Sequence, residues 1–165
     1  CSLIGKKRGI NFEKKIMKPL FVLLTVFFIS NLVIRQYKGD MDYHLAGKIA
    51  LATTLLFTSL GHLIYTKGMV LMLPDFIPLK KEIIYVTGLL EVMGAFGLFI
   101  PSISRLTGML LIVFFILILP TNIYASMRHL NYETATFDGK GTEYLWFRIP
   151  FQLLLIGWTY YCVLR

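Results

Sequence analysis

The sequence has little charge and little cysteine. Charged residues make up only 16% of the 165 residues, whereas hydrophobic residues make up 56%. Soluble globular domains carry about 25% charged residues, so this composition and a mean hydropathy of +0.68 exclude an ordinary soluble domain. The two cysteines, Cys1 and Cys162, form no CxxC pair, which excludes dithiol chemistry within one chain. No metal site is predicted, because the cysteines and three histidines lack metal-ligand spacing.

The sequence contains five long apolar runs. The runs are continuous rather than alternating, which argues against an outer-membrane barrel. Each approaches the ~20 residues that a helix needs to cross a hydrocarbon core of ~30 Å. The runs are Pro19–Ile34, Ile49–Thr66, Ile83–Ile100, Leu106–Met127 and Tyr144–Leu164. The sequence therefore predicts an all-α, multi-pass membrane protein with five transmembrane helices.

The net charge of +8 lies in loops and at the N-terminus. No basic stripe with interleaved aromatic residues occurs, so nucleic acid is excluded as a partner. Counting Lys and Arg by the positive-inside rule places the N-terminus inside and Arg165 outside. Residues 1–16 are predicted to be a basic extension upstream of a natural start at Met17. Residues 17–35 then form one transmembrane helix, and residues 49–164 form a four-helix membrane domain.

Glu91 lies near the middle of the third apolar run. A carboxylate at the centre of a transmembrane helix costs on the order of 3 kcal/mol on insertion scales, so it rarely faces lipid. Glu91 therefore predicts an interior polar site that several helices build. Arg148 is one predicted partner, and a purely structural Glu91–Arg148 pair is an alternative to a functional site.

Other polar residues share the depth of Glu91. Thr54, Thr58, His62 and Tyr65 follow the spacing of one helix face on the second run. At a rise of about 1.5 Å per residue, His62, Glu91 and Asn122 all lie in the half of the membrane nearer the inner side. Arg148 and Gln152 enter the fifth run from that side. The predicted ligand-binding residues are His62, Glu91, Asn122, Arg148 and Gln152, around one cavity that opens near the loop between Pro74 and Pro78.

Two prolines and several alternatives bear on this site. Pro120 and Pro150 are predicted to interrupt the fourth and fifth helices beside Asn122 and Arg148. The alternatives are that Arg148 extends to the interface, that Asn122 and Gln152 only hydrogen-bond across helices, or that His62 ligates a metal or haem.

Five stretches of the sequence carry short motifs. The stretches are LLFTSLGHLIY (55–65), LPDFIP (73–78), TGLLEVMGAFGLFIP (87–101), RLTGMLLIVFFILILPTNIYA (105–125) and LWFRIPFQLLLIGWTYY (145–161). Their motifs are a Gly-His pair, Gly-x-x-Glu, Pro-x-Asn-x-Tyr and Arg-x-Pro-x-Gln. In this combination the sequence resembles the DoxX-like family of small membrane proteins over about residues 49–163. The resemblance implies a four-helix transmembrane bundle in the bacterial cytoplasmic membrane, here with one extra N-terminal helix. It does not select one activity.

Two functional hypotheses follow. The first is an accessory membrane protein whose inner-leaflet polar cavity binds a small apolar ligand, a lipid-like molecule or another membrane protein. The second is a quinone-linked oxidoreductase subunit in which His62, Glu91 and Arg148 contact the quinone headgroup. The sequence contains no haem-pair histidines, CxxC motif or nucleotide motif, which favours the first hypothesis. Whether the chain is an enzyme is left open.

Overall fold

A computed structural model describes residues 17–139 and 141–165 of the chain. The predicted basic extension, residues 1–16, lies outside the described residues, as does Lys140. Six α-helices, a 3-10 turn and a π-helical turn account for the secondary structure of the described part, which has no β-strand. They are α1 (Lys18–Lys38), α2 (Tyr43–Ile64), α3 (Thr66–Leu71), α4 (Lys80–Gly97), α5 (Ser104–Met127), the 3-10 turn (Gly141–Tyr144), α6 (Leu145–Thr159) and the π-helical turn (Tyr160–Leu164).

The all-α membrane architecture predicted from the apolar runs is confirmed. Four helical stretches are long and apolar enough to cross a membrane: α1, α2, α5 and the continuous stretch Gly141–Leu164. Helix α4 has 18 residues but is not one of these four. It carries four charged side chains: three lie in its first turn, and the fourth is Glu91. The crossing of α4, and with it the five-helix topology, therefore stays a prediction.

The short link between α1 and α2 has clear local causes. Gly39 ends α1 with φ of 82°, a left-handed conformation that glycine adopts without strain. Asp42 then caps α2, since its carboxylate accepts a hydrogen bond of 2.9 Å from the backbone N–H of Leu45. That hydrogen bond, aided by Lys38 at 3.7 Å, holds the pKa of Asp42 below its ordinary value of 3.8. The two helices thus reverse direction within four residues.

The predicted helix breaks at Pro120 and Pro150 are wrong. Both prolines lie inside continuous helices, Pro120 in α5 and Pro150 in α6. A proline removes one helix hydrogen bond and clashes with the preceding turn. Membrane helices tolerate this cost where surrounding protein accommodates the distortion. Helix breaks therefore do not shape the polar site.

The loop between α2 and α4 contains α3, a short helix that the sequence did not predict. This loop packs on the loop between α5 and α6. A β-carbon built on Gly68 of α3 would lie only 1.8 Å from the carbonyl oxygen of Tyr132, so the two backbones are in direct contact. Phe76 and Leu79 in the same loop are 84% and 69% exposed, as expected for apolar side chains at a membrane interface.

Two clusters of apolar side chains form the interior. The larger cluster joins the middle of α2, the end of α4 and the first half of α5. The smaller cluster lies under the two packed loops and is built on Met72, Ala125 and Leu130. Between the clusters, polar side chains from four helices replace apolar ones.

Candidate functional site

The five residues predicted to bind a ligand extend from one end of the helices toward their middle, with Glu91 at the twelfth residue of α4. Helices α2 and α5 terminate at that end, whereas α4 and α6 begin there. The structure places all five around one cavity of about 590 Å³ between the two apolar clusters. This volume is within the range of about 300–1,000 Å³ typical of small-molecule sites. The role of the five residues in ligand binding stays a prediction, but their convergence is a property of the fold.

The cavity wall is mostly apolar, with the polar groups confined to part of it. Leu51, Leu55 and Phe115 of the larger cluster form one side. Met69, Met72 and Tyr132 of the smaller cluster form another. The one-face spacing on α2 holds as well, since Thr54, Thr58, His62 and Tyr65 all line the cavity. Such a wall suits a molecule with an apolar body and a polar head.

His62 is held by the first turns of α4. Its Nδ1 lies 3.0 Å from the carbonyl oxygen of Ile84 and 3.2 Å from the hydroxyl of Thr87. The Thr87 hydroxyl itself donates to the Ile84 carbonyl at 2.9 Å. A carbonyl oxygen only accepts, so the contact with Ile84 is a hydrogen bond in the tautomer of His62 that carries its proton on Nδ1. This triangle fixes the imidazole ring and directs Nε2 toward Glu91.

Glu91 faces His62, not Arg148 as the sequence analysis considered. Oε1 of Glu91 lies 3.6 Å from Nε2 of His62, and the two side chains are only 8% and 12% exposed. This separation exceeds the usual hydrogen-bond range of about 2.7–3.2 Å. Oε2 of Glu91 is buried and has no hydrogen-bond partner in the described part of the chain. A buried carboxylate with unused acceptor capacity is unusual in a purely structural role.

Arg148 instead joins a second polar group on the cavity wall. Its Nε donates to Oδ1 of Asn122 at 3.2 Å, and Nδ2 of Asn122 donates to Oε1 of Gln152 at 3.2 Å. Gln152 in turn donates through Nε2 to the carbonyl oxygen of Phe115 on α5. These contacts tie α5 to α6 and orient a cation toward the cavity. Both the structural and the ligand-binding interpretations of Asn122 and Gln152 are compatible with this geometry.

Tyr132 also lines the cavity, although the sequence analysis did not single it out. The guanidinium of Arg148 lies 5.9 Å from the ring centroid of Tyr132, within cation–π distance. The Tyr132 ring also meets Tyr65 edge to face, with centroids 5.9 Å apart. Gly88 lets α4 approach α2, because an added β-carbon would lie 2.9 Å from Cβ of His62. Tyr132 lies in a polar loop, where no periodicity indicates what it contacts.

The two loops over this end of the helices are linked by charge. Asp75 contacts Lys80 at 2.9 Å and Arg128 at 3.6 Å. The hydrogen bond from Lys80, then the charges of Lys80 and Arg128, lower the pKa of Asp75 from 3.8. Since the folded-state pKa is lowered, these pairs persist above pH 3.8 and are lost as the pH falls below the folded value. The link therefore holds at physiological pH.

The fold and the cavity define a class: a helical, multi-pass membrane protein with a mostly apolar internal site. Within that class, the chain belongs to the family described as Domain of unknown function (DUF8561), whose model matches residues 51–163. The matched segment contains all five predicted site residues and begins after α1. No curated protein and no solved structure matches the chain. These comparisons do not link the chain to the DoxX-like family, so that resemblance stays a prediction.

Proposed function

We propose that this membrane protein binds a small amphiphilic molecule in the cavity between α2, α4, α5 and α6. The observation that carries the proposal is the convergence of His62, Glu91, Asn122, Arg148 and Gln152 on one largely apolar space of about 590 Å³. The polar head of the ligand contacts this group of residues, and its apolar body lies along Leu51, Leu55 and Phe115. We propose an accessory or ligand-binding role rather than a complete enzyme.

Energetic considerations support a ligand over a purely structural site. Ionisable groups at membrane depth are costly and usually mark pathways or binding sites. The open acceptor on Glu91 adds to that cost, which a ligand able to hydrogen-bond Oε2 would offset. A head group that reaches from the His62–Glu91 pair to Asn122 and Gln152 would also contact Arg148. The charge of Arg148 favours partial negative charge on the ligand.

A quinone-linked oxidoreductase subunit is the second candidate function. The observation in its favour is the His62–Glu91 pair, two groups able to exchange protons with a headgroup in the cavity. Quinone reduction consumes two electrons and two protons, and the electrons would come from a redox partner bound to the chain. The membrane location that this function needs is also the one that the resemblance to the DoxX-like family implies.

The binding proposal is tested by extracting the purified protein with organic solvent and identifying stoichiometric small molecules by mass spectrometry. Thr58→Phe adds bulk at the cavity wall, whereas Leu56→Phe changes a residue of α2 that is 36% exposed and lies outside the wall. We expect wild type and Leu56→Phe to retain the compound and Thr58→Phe to retain about tenfold less, since filling the site removes its contacts. Equal retention in all three proteins would contradict the proposal. A quinone among the extracted compounds, recognised by its absorbance change on reduction, would favour the second candidate.

We also propose an orientation in which the N-terminus is inside, α4 crosses the membrane, and the cavity lies toward the inner leaflet of a bacterial cytoplasmic membrane. The basic residues of the loops next to the cavity, among them Lys67, Lys80 and Arg128, support this orientation. Reporter domains fused after Gly139 and after Arg165 are expected to report the inner and outer side respectively. Both reporters on the same side would contradict the crossing of the last helix and the orientation with it.

A further inference from the structure

The pair formed by His62 and Glu91 brings a ring nitrogen next to a carboxyl oxygen without a hydrogen bond between them. In the tautomer with the proton on Nδ1, which the Ile84 carbonyl favours, a neutral His62 ring has a lone pair on Nε2. That lone pair faces a carboxylate oxygen, which also accepts. The 3.6 Å between the atoms is too long for a direct hydrogen bond and too short for an ordered water to sit between them on the same line. A hydroxyl hydrogen donated beside the pair would satisfy a carboxyl oxygen of Glu91.

Oε2 of Glu91 is the second open position. This oxygen is buried, and no described residue donates a hydrogen bond to it. The Glu91 side chain as a whole is only 8% exposed. In contrast, the hydrogen-bonding atoms of Asn122 and Gln152 already contact protein atoms. Among these three side chains, the unused capacity is therefore that of an acceptor, and it lies at Oε2 of Glu91.

From this asymmetry, and resting on the proposed function, we infer that the ligand head is a hydroxyl group that donates a hydrogen bond to Glu91 beside His62. A hydroxyl both donates and accepts, so it matches Glu91 and also accepts from Nε2 whenever His62 is protonated. An ammonium head has no acceptor, so it could not receive a hydrogen bond from Arg148 or His62, which also line the cavity. A carboxylate head has no hydrogen to donate to Oε2 of Glu91. The ligand class is thus an amphiphilic alcohol or phenol.

The same geometry distinguishes the two redox forms of a quinone. A quinone carbonyl only accepts, so it leaves Oε2 of Glu91 without a donor. A quinol hydroxyl donates, and the site would bind it about tenfold or more tightly than the quinone, because an unsatisfied buried acceptor carries the desolvation penalty. If the second candidate function holds, this site therefore favours the reduced form.

The inference is tested with three probes that share one apolar body: para-octylphenol, para-octylanisole and para-octylbenzoate. The phenol and the anisole differ by a methyl group that removes the donor. Native mass spectrometry of the detergent-solubilised wild-type protein with an equimolar mixture gives the ratio of bound probes directly. We expect the phenol to be bound about tenfold over the anisole and over the benzoate.

Two substitutions on α4, each of which replaces a glutamate with glutamine, test whether Glu91 causes the preference for the phenol. Glu91→Gln supplies an amide that can donate to either probe, so the phenol-to-anisole ratio is expected to fall to about twofold or less. Glu82→Gln removes a charge from an exposed position of α4 outside the cavity and should keep the wild-type ratio. Circular dichroism establishes that both variants are folded.

The outcomes separate the inference from the function on which it rests. If none of the probes binds wild type, the proposed function is contradicted together with the inference. If the phenol and the anisole bind equally, or the benzoate binds best, the cavity binds amphiphiles but the inferred head group is wrong. A tenfold preference that survives Glu91→Gln also overturns the assignment to Glu91. The ratios of bound probes measured on the wild-type protein test the inference even if a variant does not fold.

Discussion

Replacing Asn122 with leucine is expected to lower the free energy of unfolding by about 2–4 kcal/mol. Asn122 is 2% exposed and bridges two side chains of α6. The change removes the acceptor that Nε of Arg148 contacts and the donor to Oε1 of Gln152, at 3.2 Å each. A hydrogen bond to a charged group contributes about 1.5–3 kcal/mol and a neutral one about 1 kcal/mol. The lower end of the range lies below the smallest sum of about 2.5 kcal/mol because chains unfolded in a membrane also find polar partners.

The matched control for this prediction is Thr121→Val on the neighbouring residue. The Thr121 hydroxyl donates only to the carbonyl of Ile118 in its own helix, and Thr121 also lines the cavity. Its loss is expected to cost less than about 1 kcal/mol, because it leaves the contacts between α5 and α6 intact. Unfolding in mixed micelles, followed by circular dichroism against the fraction of denaturing detergent, measures both variants. An effect of Asn122→Leu no larger than that of Thr121→Val would contradict a stabilising role for the bridge.

Much of the architecture could be predicted because membrane helices have a simple sequence pattern. Apolar runs bounded by charge located the main helices to within six residues at either end, since lipid contact demands a continuous apolar stretch. The face of α2 that carries Thr58 and His62 followed from helical periodicity alone. The shared depth of His62, Glu91 and Asn122 followed from the rise per residue and the position of flanking charges.

The pairing within the site could not be predicted in the same way. Depth places Glu91 near both His62 and Arg148, and only the helix packing decides between them. The close contact of Gly88 with His62 brings α4 against α2, so Glu91 meets the imidazole. Tyr132 and the short helix α3 were missed because a loop has no periodicity and because six residues make too short a helix to leave a pattern. The helix breaks expected at the prolines failed because one lost hydrogen bond does not by itself end a packed helix.

Replacing Gly88 with valine is the second change for which a large effect is expected. A β-carbon at this position would lie 2.9 Å from Cβ and 3.2 Å from Cγ of His62, closer than side-chain carbons normally approach. Small residues let membrane helices pack tightly, so the added atoms would force α2 and α4 apart. The cost of such overpacking is about 1–3 kcal/mol for a few added methyl groups, and the branched side chain places the effect at the upper end. The same displacement moves His62 away from Glu91.

Gly157→Val supplies the matched control, because a β-carbon at Gly157 of α6 meets nothing within 4 Å. In a helix interior valine is slightly more favourable than glycine, so this variant is expected to change stability by less than about 0.5 kcal/mol. Both variants are measured by detergent unfolding and by the ratio of bound para-octylphenol to para-octylanisole. Gly88→Val should lose stability and lower the ratio, whereas Gly157→Val should change neither. A Gly88→Val protein with wild-type stability and ratio would mean that α2 and α4 do not pack through Gly88 and His62, and that the geometry assigned to the His62–Glu91 pair is wrong.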